Sequence, residues 1–170
     1  MSTPSWITRA ETTADVAAVR EVNLQAFGRT YEPDIVDALR ADPAAWLPGL
    51  SIIATTPDGD VVAHALLSRC HVDDVAVLSL GPVAVRPAYQ RQGAGSAAIR
   101  AALDAGREAG EAAVVLLGHL EYYPRFGFEP AASFGITHAD VTGPNVMALQ
   151  LDPARAMPSG QIRYPAAWDI

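Results

Sequence analysis

The 170-residue sequence contains no lysine and a single cysteine, and charged residues interrupt its apolar stretches along the whole length. Without lysine no Walker-type phosphate loop can exist, because that loop needs a Lys after its last glycine. All twelve basic side chains are therefore arginine, and the formal net charge is −7. That balance disfavours nonspecific nucleic-acid binding, which needs a basic surface. One cysteine excludes an intrachain disulfide and suits a reducing, cytoplasmic location. Cys70 itself is expected as a small buried hydrophobe on a strand, since a nucleophilic thiol would need a pKa-lowering environment. No run approaches the ~18 apolar residues of a membrane span, and the start Met-Ser-Thr-Pro-Ser-Trp lacks the basic and apolar regions of a signal peptide. Cysteine and histidine do not cluster at metal-ligand spacing, so no metal is expected.

The length fits one domain, residues 1–170, with 151–170 as an irregular covering segment because Pro153, Pro158, Gly160 and Pro165 interrupt it. Ile7–Ala10 with Trp6 reads as a first strand, followed by an amphipathic helix capped at Thr12 or Thr13 and ending at Phe27-Gly28. Glu32–Arg40 reads as a second helix with Ile35, Val36 and Leu39 inward. Leu50–Thr55 and Val61–Val72 read as strands joined by the Pro57-Asp58-Gly59 turn, and Val75–Val85 as the next strand after Asp73-Asp74. From Gly93 the residues Ile99, Ala102, Leu103, Gly106 and Ala109 recur at helical spacing as far as Gly110, and Val114–Leu117 fits a buried strand. The order is β-α-α-β-β-β-α-β-α-β-β, a mixed α/β sheet, with Gln161–Tyr164 able to add a strand or cover a sheet edge.

The most informative stretch is Leu78–Gly95, where an apolar strand runs into a turn containing Gly93 and Gly95 and then into a helix. Glycines there let the backbone bend tightly, and the first helical turn leaves N–H groups without intrahelical acceptors. Such groups, with the helix dipole, favour an anion such as phosphate. Gly93-Ala94-Gly95-Ser96-Ala97-Ala98 formally fits a dinucleotide fingerprint, which would make the chain a nucleotide-dependent oxidoreductase. That fingerprint also needs its glycine turn directly after the strand and an acidic residue about 20 positions on. Here seven residues separate Val85 from Gly93, and the run Val114–Leu117 ends in Gly118-His119 without a carboxylate.

Gln90-Arg91-Gln92-Gly93-Ala94-Gly95 instead fits a Gln/Arg-x-x-Gly-x-Gly/Ala pattern, and Tyr123-Pro124-Arg125-Phe126-Gly127-Phe128 fits Tyr-x-x-x-Gly-Phe. The two motifs in this order resemble the GNAT superfamily of N-acetyltransferases. The run from Leu117-Gly118 through Tyr122-Tyr123 to Phe128, with the tail Ile162-Arg163-Tyr164-Pro165, further resembles a bacterial subgroup of predicted N-acetyltransferases. The resemblance spans about residues 5–168. It implies an α/β (α+β) fold: a central, mostly antiparallel mixed sheet flanked by helices, with a splayed central strand.

It also implies acetyl-CoA as co-substrate and a primary amine of a small molecule or peptide as acceptor, with direct attack in a ternary complex. On this likeness Val83, Ala84 and Val85 offer backbone groups to the pantetheine arm. Gln90, Arg91, Gln92, Gly93, Ala94, Gly95 and Ser96 hold the pyrophosphate, and Arg91 and Arg86 are candidate sources of positive charge. Tyr123 is the expected general acid at the departing sulfur. The base stays open among His64, His119, Glu121, Glu32 and Asp73 or Asp74, and His64 reads equally well as a structural histidine. The loop Gly28–Tyr31 is expected beside the substrate pocket. His119 stands where many relatives carry Asp, and Leu116 where many carry an Asn that contacts the cofactor arm. A non-catalytic acyl-CoA-binding module is the alternative of a different class. The chain is expected as a monomer or homodimer without nucleic-acid or membrane partners.

Overall fold

A computed structural model describes residues 5–169; residues 1–4 and 170, at the ends of the expected single domain, lie outside the described residues. In chain order the regular elements are β1 (Ile7–Ala10), α1 (Val16–Phe27), α2 (Tyr31–Ala41), β2 (Ser51–Thr55), β3 (Val61–Val72) and β4 (Val75–Val85). They continue with α3 (Ala94–Glu108), β5 (Ala113–Leu117), β6 (Glu129–Pro130), β7 (Ile136–Thr137), β8 (Val146–Gln150) and β9 (Gly160–Arg163). The sheet runs β1-β2-β3-β4-β5-β8-β6, with β9 beside β3 and β7. Among the described residues only β4–β5 and β7–β9 pair in parallel. This is the mixed, mostly antiparallel α/β architecture expected. Among the described residues no helix is long and apolar enough to cross a membrane.

Periodicity explains how the layers assemble. In α1, Val19, Val22 and Asn23 are buried, and in α2 Ile35, Val36 and Leu39, so both helices pack one stripe against Ile53, Leu66 and Ala84 of the sheet. In α3 the buried set Ala98, Ile99, Ala102 and Leu103 covers the opposite face, against Leu67, Leu78 and Val114. Alternation along β4 follows: Ala84 turns toward α1 and α2, while Val83 and Val85 pack toward α3. The β2–β4 strands carry apolar residues on both faces because helices cover both. Helix α1 is preceded by a 3-10 turn, Thr13–Asp15, in which the Asp15 carboxylate accepts the Thr12 N–H at 2.7 Å.

Two expectations need correction. The helix expected after β5 is only a four-residue 3-10 turn, Tyr123–Phe126. Pro124 supplies no N–H, and Gly127 at φ +100° closes the turn in the left-handed region, so no further turn can propagate. Gln161 does enter a strand, but that strand begins at Gly160 and ends at Arg163, before Tyr164. Cys70 is wholly buried on β3, and burial raises its thiol to about 11, as a packing role requires.

Candidate active site

Strand β4 changes character half-way along. Leu78 and Ser79 pair in parallel with Val114 and Val115 of β5, and there the ladder between the two strands stops. The last residues of β5 pair only with β8, Leu116 with Met147 and Leu117 with Val146. On its other edge β4 continues to pair with β3 as far as Val85. A bulge marks the transition, since Gly81 and Pro82 together oppose Leu66 alone. An extra residue in one strand bends it and turns it from its neighbour, and Gly81 at φ +149° takes a conformation that side-chain-bearing residues rarely adopt. Beyond Ser79, β4 therefore offers an edge not used by β5.

A cleft of about 650 Å³ occupies this opening. Ser79–Val83 form one wall, Leu117, Gly118 and His119 a second, and Tyr123 stands between, with Phe27, Tyr31, His138, Asp140, Tyr164 and Trp168 completing it. Gly118 is needed here, because a Cβ on it would overlap the Tyr123 ring. Burial, with a smaller contribution from Tyr122, pushes the Tyr123 phenol up to about 12, so it stays protonated at neutral pH. The His119 backbone carbonyl accepts the N–H groups of both Tyr122 and Tyr123, which fixes the turn beneath them.

The glycine turn forms a second cavity of about 440 Å³, lined by Val85, Tyr89, Gln90, Arg91, Gly93–Ser96, Tyr122 and Arg125. Gly93, at φ +89°, caps α3 and accepts the Ala97 N–H, leaving the Ala94, Gly95 and Ser96 N–H groups at the open helix end. A Cβ at 95 would lie 2.9 Å from Val85 Cγ2, so glycine there lets the helix start approach β4. Ser96 Oγ and the Tyr122 hydroxyl are 3.0 Å apart. Arg125 stacks on the Tyr122 ring at 4.5 Å and donates from Nε and Nη2 to the Tyr122 and Glu121 carbonyls. The adjacent tyrosines thus divide, Tyr122 to the glycine turn and Tyr123 to the cleft.

The expected residues are not all brought together. Val83 lines the cleft, and Val85, Gln90, Arg91, Gly93, Ala94, Gly95 and Ser96 line the glycine-turn cavity. The Ala84 side chain is buried on the opposite sheet face, whereas the part expected of Ala84 is a backbone one; the Gln92 side chain turns back to the Ala88 carbonyl while the Gln92 backbone carbonyl accepts Trp6 Nε1–H at 2.9 Å. Arg86 lies in a different hollow beside Asp60, with Nε held by the Val61 carbonyl. His64 is fully buried between Asn23 Nδ2 at 3.1 Å and Ser51 Oγ at 2.8 Å, and desolvation, aided by Arg40, lowers it to about 3. It lines none of the described cavities and is wholly buried, as a structural histidine is. Glu32 is buried under Arg29, Asp73 accepts the Gln161 N–H, Asp74 lies in a third hollow beside His71, and Glu121 is exposed outside every described cavity. Of the candidate bases only His119 lines the cleft. The sequence reading missed Tyr122, Arg125, His138, Asp140 and Tyr164; Arg125 and Tyr164 sat inside quoted motifs, whereas nothing local marks His138 or Asp140.

Residues 16–128 match the model of the Acetyltransferase (GNAT) family. The chain belongs to the GNAT acetyltransferase family. It is 40% identical over 123 residues to the uncharacterized N-acetyltransferase YjhQ of Escherichia coli K12, covering 70% of this chain and 67% of that protein. It is 32% identical over 126 residues to the uncharacterized N-acetyltransferase YhbS of the same strain, covering 73% of this chain and 74% of YhbS. Two solved GNAT structures superpose closely. The E. coli YhbS crystal structure, a complex with CoA, gives a TM-score of 0.88 at 25% identity and covers 100% of this chain and 95% of that one. A Brucella melitensis GNAT acetyltransferase in complex with acetyl-CoA gives 0.79 at 35% identity, covering 97% and 99%. This GNAT protein is therefore a transferase enzyme, and the oxidoreductase reading of the glycine turn falls away.

Proposed function

We propose that this enzyme moves an acetyl group from acetyl-CoA to a primary amine of a small molecule or peptide, by direct attack in a ternary complex. The observation that carries the reading is the freed edge of β4 from Leu80 onward, opening into a cleft that holds a protonated phenol and continuing to a helix-capping glycine turn. Such an arrangement fits a long, phosphorylated thioester. The unpaired β4 edge suits amide groups of an extended arm. The open N–H groups at Ala94–Ser96, with Arg91 and Arg125 beside them, suit a pyrophosphate. Bound there, acetyl-CoA supplies an activated acetyl thioester.

The chain's own residues then do three things. They hold the acceptor nitrogen near the acetyl carbon, which converts a bimolecular encounter into an oriented one. His119, at the cleft wall, accepts a proton from the incoming ammonium, directly or through water, so that a lone pair is free to attack. Tyr123 donates its phenolic proton as the C–S bond breaks and the C–N bond forms, and recovers a proton from the acylated nitrogen. Net, the ammonium gives up two protons, one reaching the departing sulfur through Tyr123 and one passing through His119 to solvent. A cytoplasmic setting would supply the thioester.

Calorimetric titration with acetyl-CoA, using CoA and NAD as comparators, tests the reading. Micromolar, CoA-selective binding that Gly95→Trp abolishes is the expected result. Absence of CoA binding, or a preference for NAD, would overturn it.

A further inference from the structure

The two cavities sort charge in opposite senses. Arg91 and Arg125 both line the glycine-turn cavity, which offers no carboxylate. Among the described residues no arginine lines the cleft beyond it, and Asp140 is the one carboxylate that does. With no lysine anywhere in the chain, an anionic acceptor meets neither a lysine nor an arginine among the described residues of the cleft lining.

Aromatic rings supply much of the rest of that cleft. Phe27, Tyr31, Tyr123, Tyr164 and Trp168 line it, and Tyr164 links its neighbours, with ring centroids 5.6 Å from His138 and 5.8 Å from Trp168. Phe27 and Tyr31 stay 38% and 43% exposed, so two large aromatic surfaces at the helix junction remain open to a ligand. Ring faces attract cations as well as apolar bodies. Tyr31 already takes the Arg29 guanidinium, 5.6 Å from its centroid, although that arginine is committed to Glu32 and stands outside the cleft lining.

The segment carrying Asp140 is held in place. His138 Nδ1 accepts the backbone N–H groups of Asp140 at 3.1 Å and Val141 at 3.2 Å. With Nδ1 engaged as an acceptor, the neutral ring carries its proton on Nε2. The imidazole thus pins the loop while the Asp140 side chain stays exposed.

We infer that the acceptor is a monoamine on an aryl or bulky alkyl body, bound as its ammonium between Asp140 and the aromatic wall of the cleft. The inference rests on the proposed acetyl transfer and names the acceptor class for that same site. A polyamine would need several carboxylates to match its charges, and the described lining residues supply one. A phosphorylated amine or a free amino acid would set its anion against Asp140 without compensation, a desolvation and repulsion cost that discriminates strongly.

The test titrates the CoA-saturated full chain with 2-phenylethylamine, phenylalanine, spermidine and glucosamine 6-phosphate, and separately follows thiol release from acetyl-CoA with each. At least tenfold tighter binding of 2-phenylethylamine than of the other three is expected. Asp140→Asn should weaken that binding about two- to fivefold, the range of an exposed ion pair. Tyr31→Leu should weaken it by a similar factor through loss of a ring face, about two- to fivefold. Both variants should leave CoA affinity unchanged. Tighter binding of phenylalanine, spermidine or the phosphorylated amine, equal binding of all four, or full affinity in both variants would overturn the inference. Selective amine binding without thiol release would leave the acceptor class standing and remove the transfer reaction; thiol release with spermidine alone would do the reverse.

Discussion

Two regions of this protein hold similar chemistry in opposite states. On the α1–α2 side, His64, Ser51, Glu11 and Asn23 form a buried relay: Asn23 Nδ2 faces His64 Nδ1, His64 Nε2 meets Ser51 Oγ, and Ser51 bonds the Glu11 carboxylate, itself paired with Arg40 at 2.9 Å. Across the sheet, His119 and Tyr123 face an open cleft. A serine, histidine and carboxylate in hydrogen-bond contact would pass for a catalytic set on residue types alone. Ser51 and His64 are 3% and 0% exposed, so no substrate reaches them. The lesson is that access and unspent hydrogen-bonding capacity, not identity, separate a working histidine from a structural one.

Substitutions sharpen that contrast. Tyr123→Phe should lower kcat about 10²–10⁴-fold while calorimetry finds acetyl-CoA affinity nearly intact, as expected on losing a general acid. Unchanged turnover across the pH range would remove Tyr123 from the chemistry. His119→Gln should lower kcat/KM by about 10²-fold and alter its pH profile, at the weaker end of acid–base contributions. The matched change on the closed side, His64→Gln, should leave the pH profile in place and instead lower the melting temperature, because it disturbs a buried, paired network. If the two histidine variants exchanged these signatures, the comparison would be inverted.

Smaller effects test the supporting geometry. Gly95→Ala sets a Cβ 2.9 Å from Val85 Cγ2, so it should cost about 1–3 kcal/mol in denaturant unfolding and raise the KM for acetyl-CoA several-fold. Stability should also depend on pH through His64. Its pKa is about 3 folded against about 6.5 unfolded, so between these values the unfolded chain binds more protons. Stability is therefore full above about pH 6.5 and declines as the pH falls toward 3, a slope that His64→Gln should flatten in melting curves. Asp15, held well below the usual carboxylate range chiefly by Arg9, adds its own loss only below about pH 4, which keeps the two contributions separable.

Local patterning made much of this molecule legible. The inward faces of α1 and α2, the turn at Pro57–Gly59, the long β3 and β4 strands and the helix from the glycine turn all follow from apolar spacing and from residues that cap or break elements. The glycine turn and the Tyr123–Phe128 run were readable because each is contiguous and each needs glycine or tyrosine for a stated geometric reason. The segment at Tyr123 is a 3-10 turn rather than the helix expected from its place in the order, and Pro124 and Gly127 are what keep it short.

By itself the sequence determined the α/β class, the family resemblance and the phosphate-suited turn, since those depend on neighbours along the chain. Only tertiary structure decided which of the candidate bases faces the cleft, that Arg125 rather than Arg86 joins the glycine turn, and that His138, Asp140, Tyr164 and Trp168 meet Phe27 and Tyr31. Those residues come from opposite ends of the chain and converge where β4 and β5 part. Side-chain burial and convergence are set by packing between distant elements, a property that spacing along a single strand or helix does not encode.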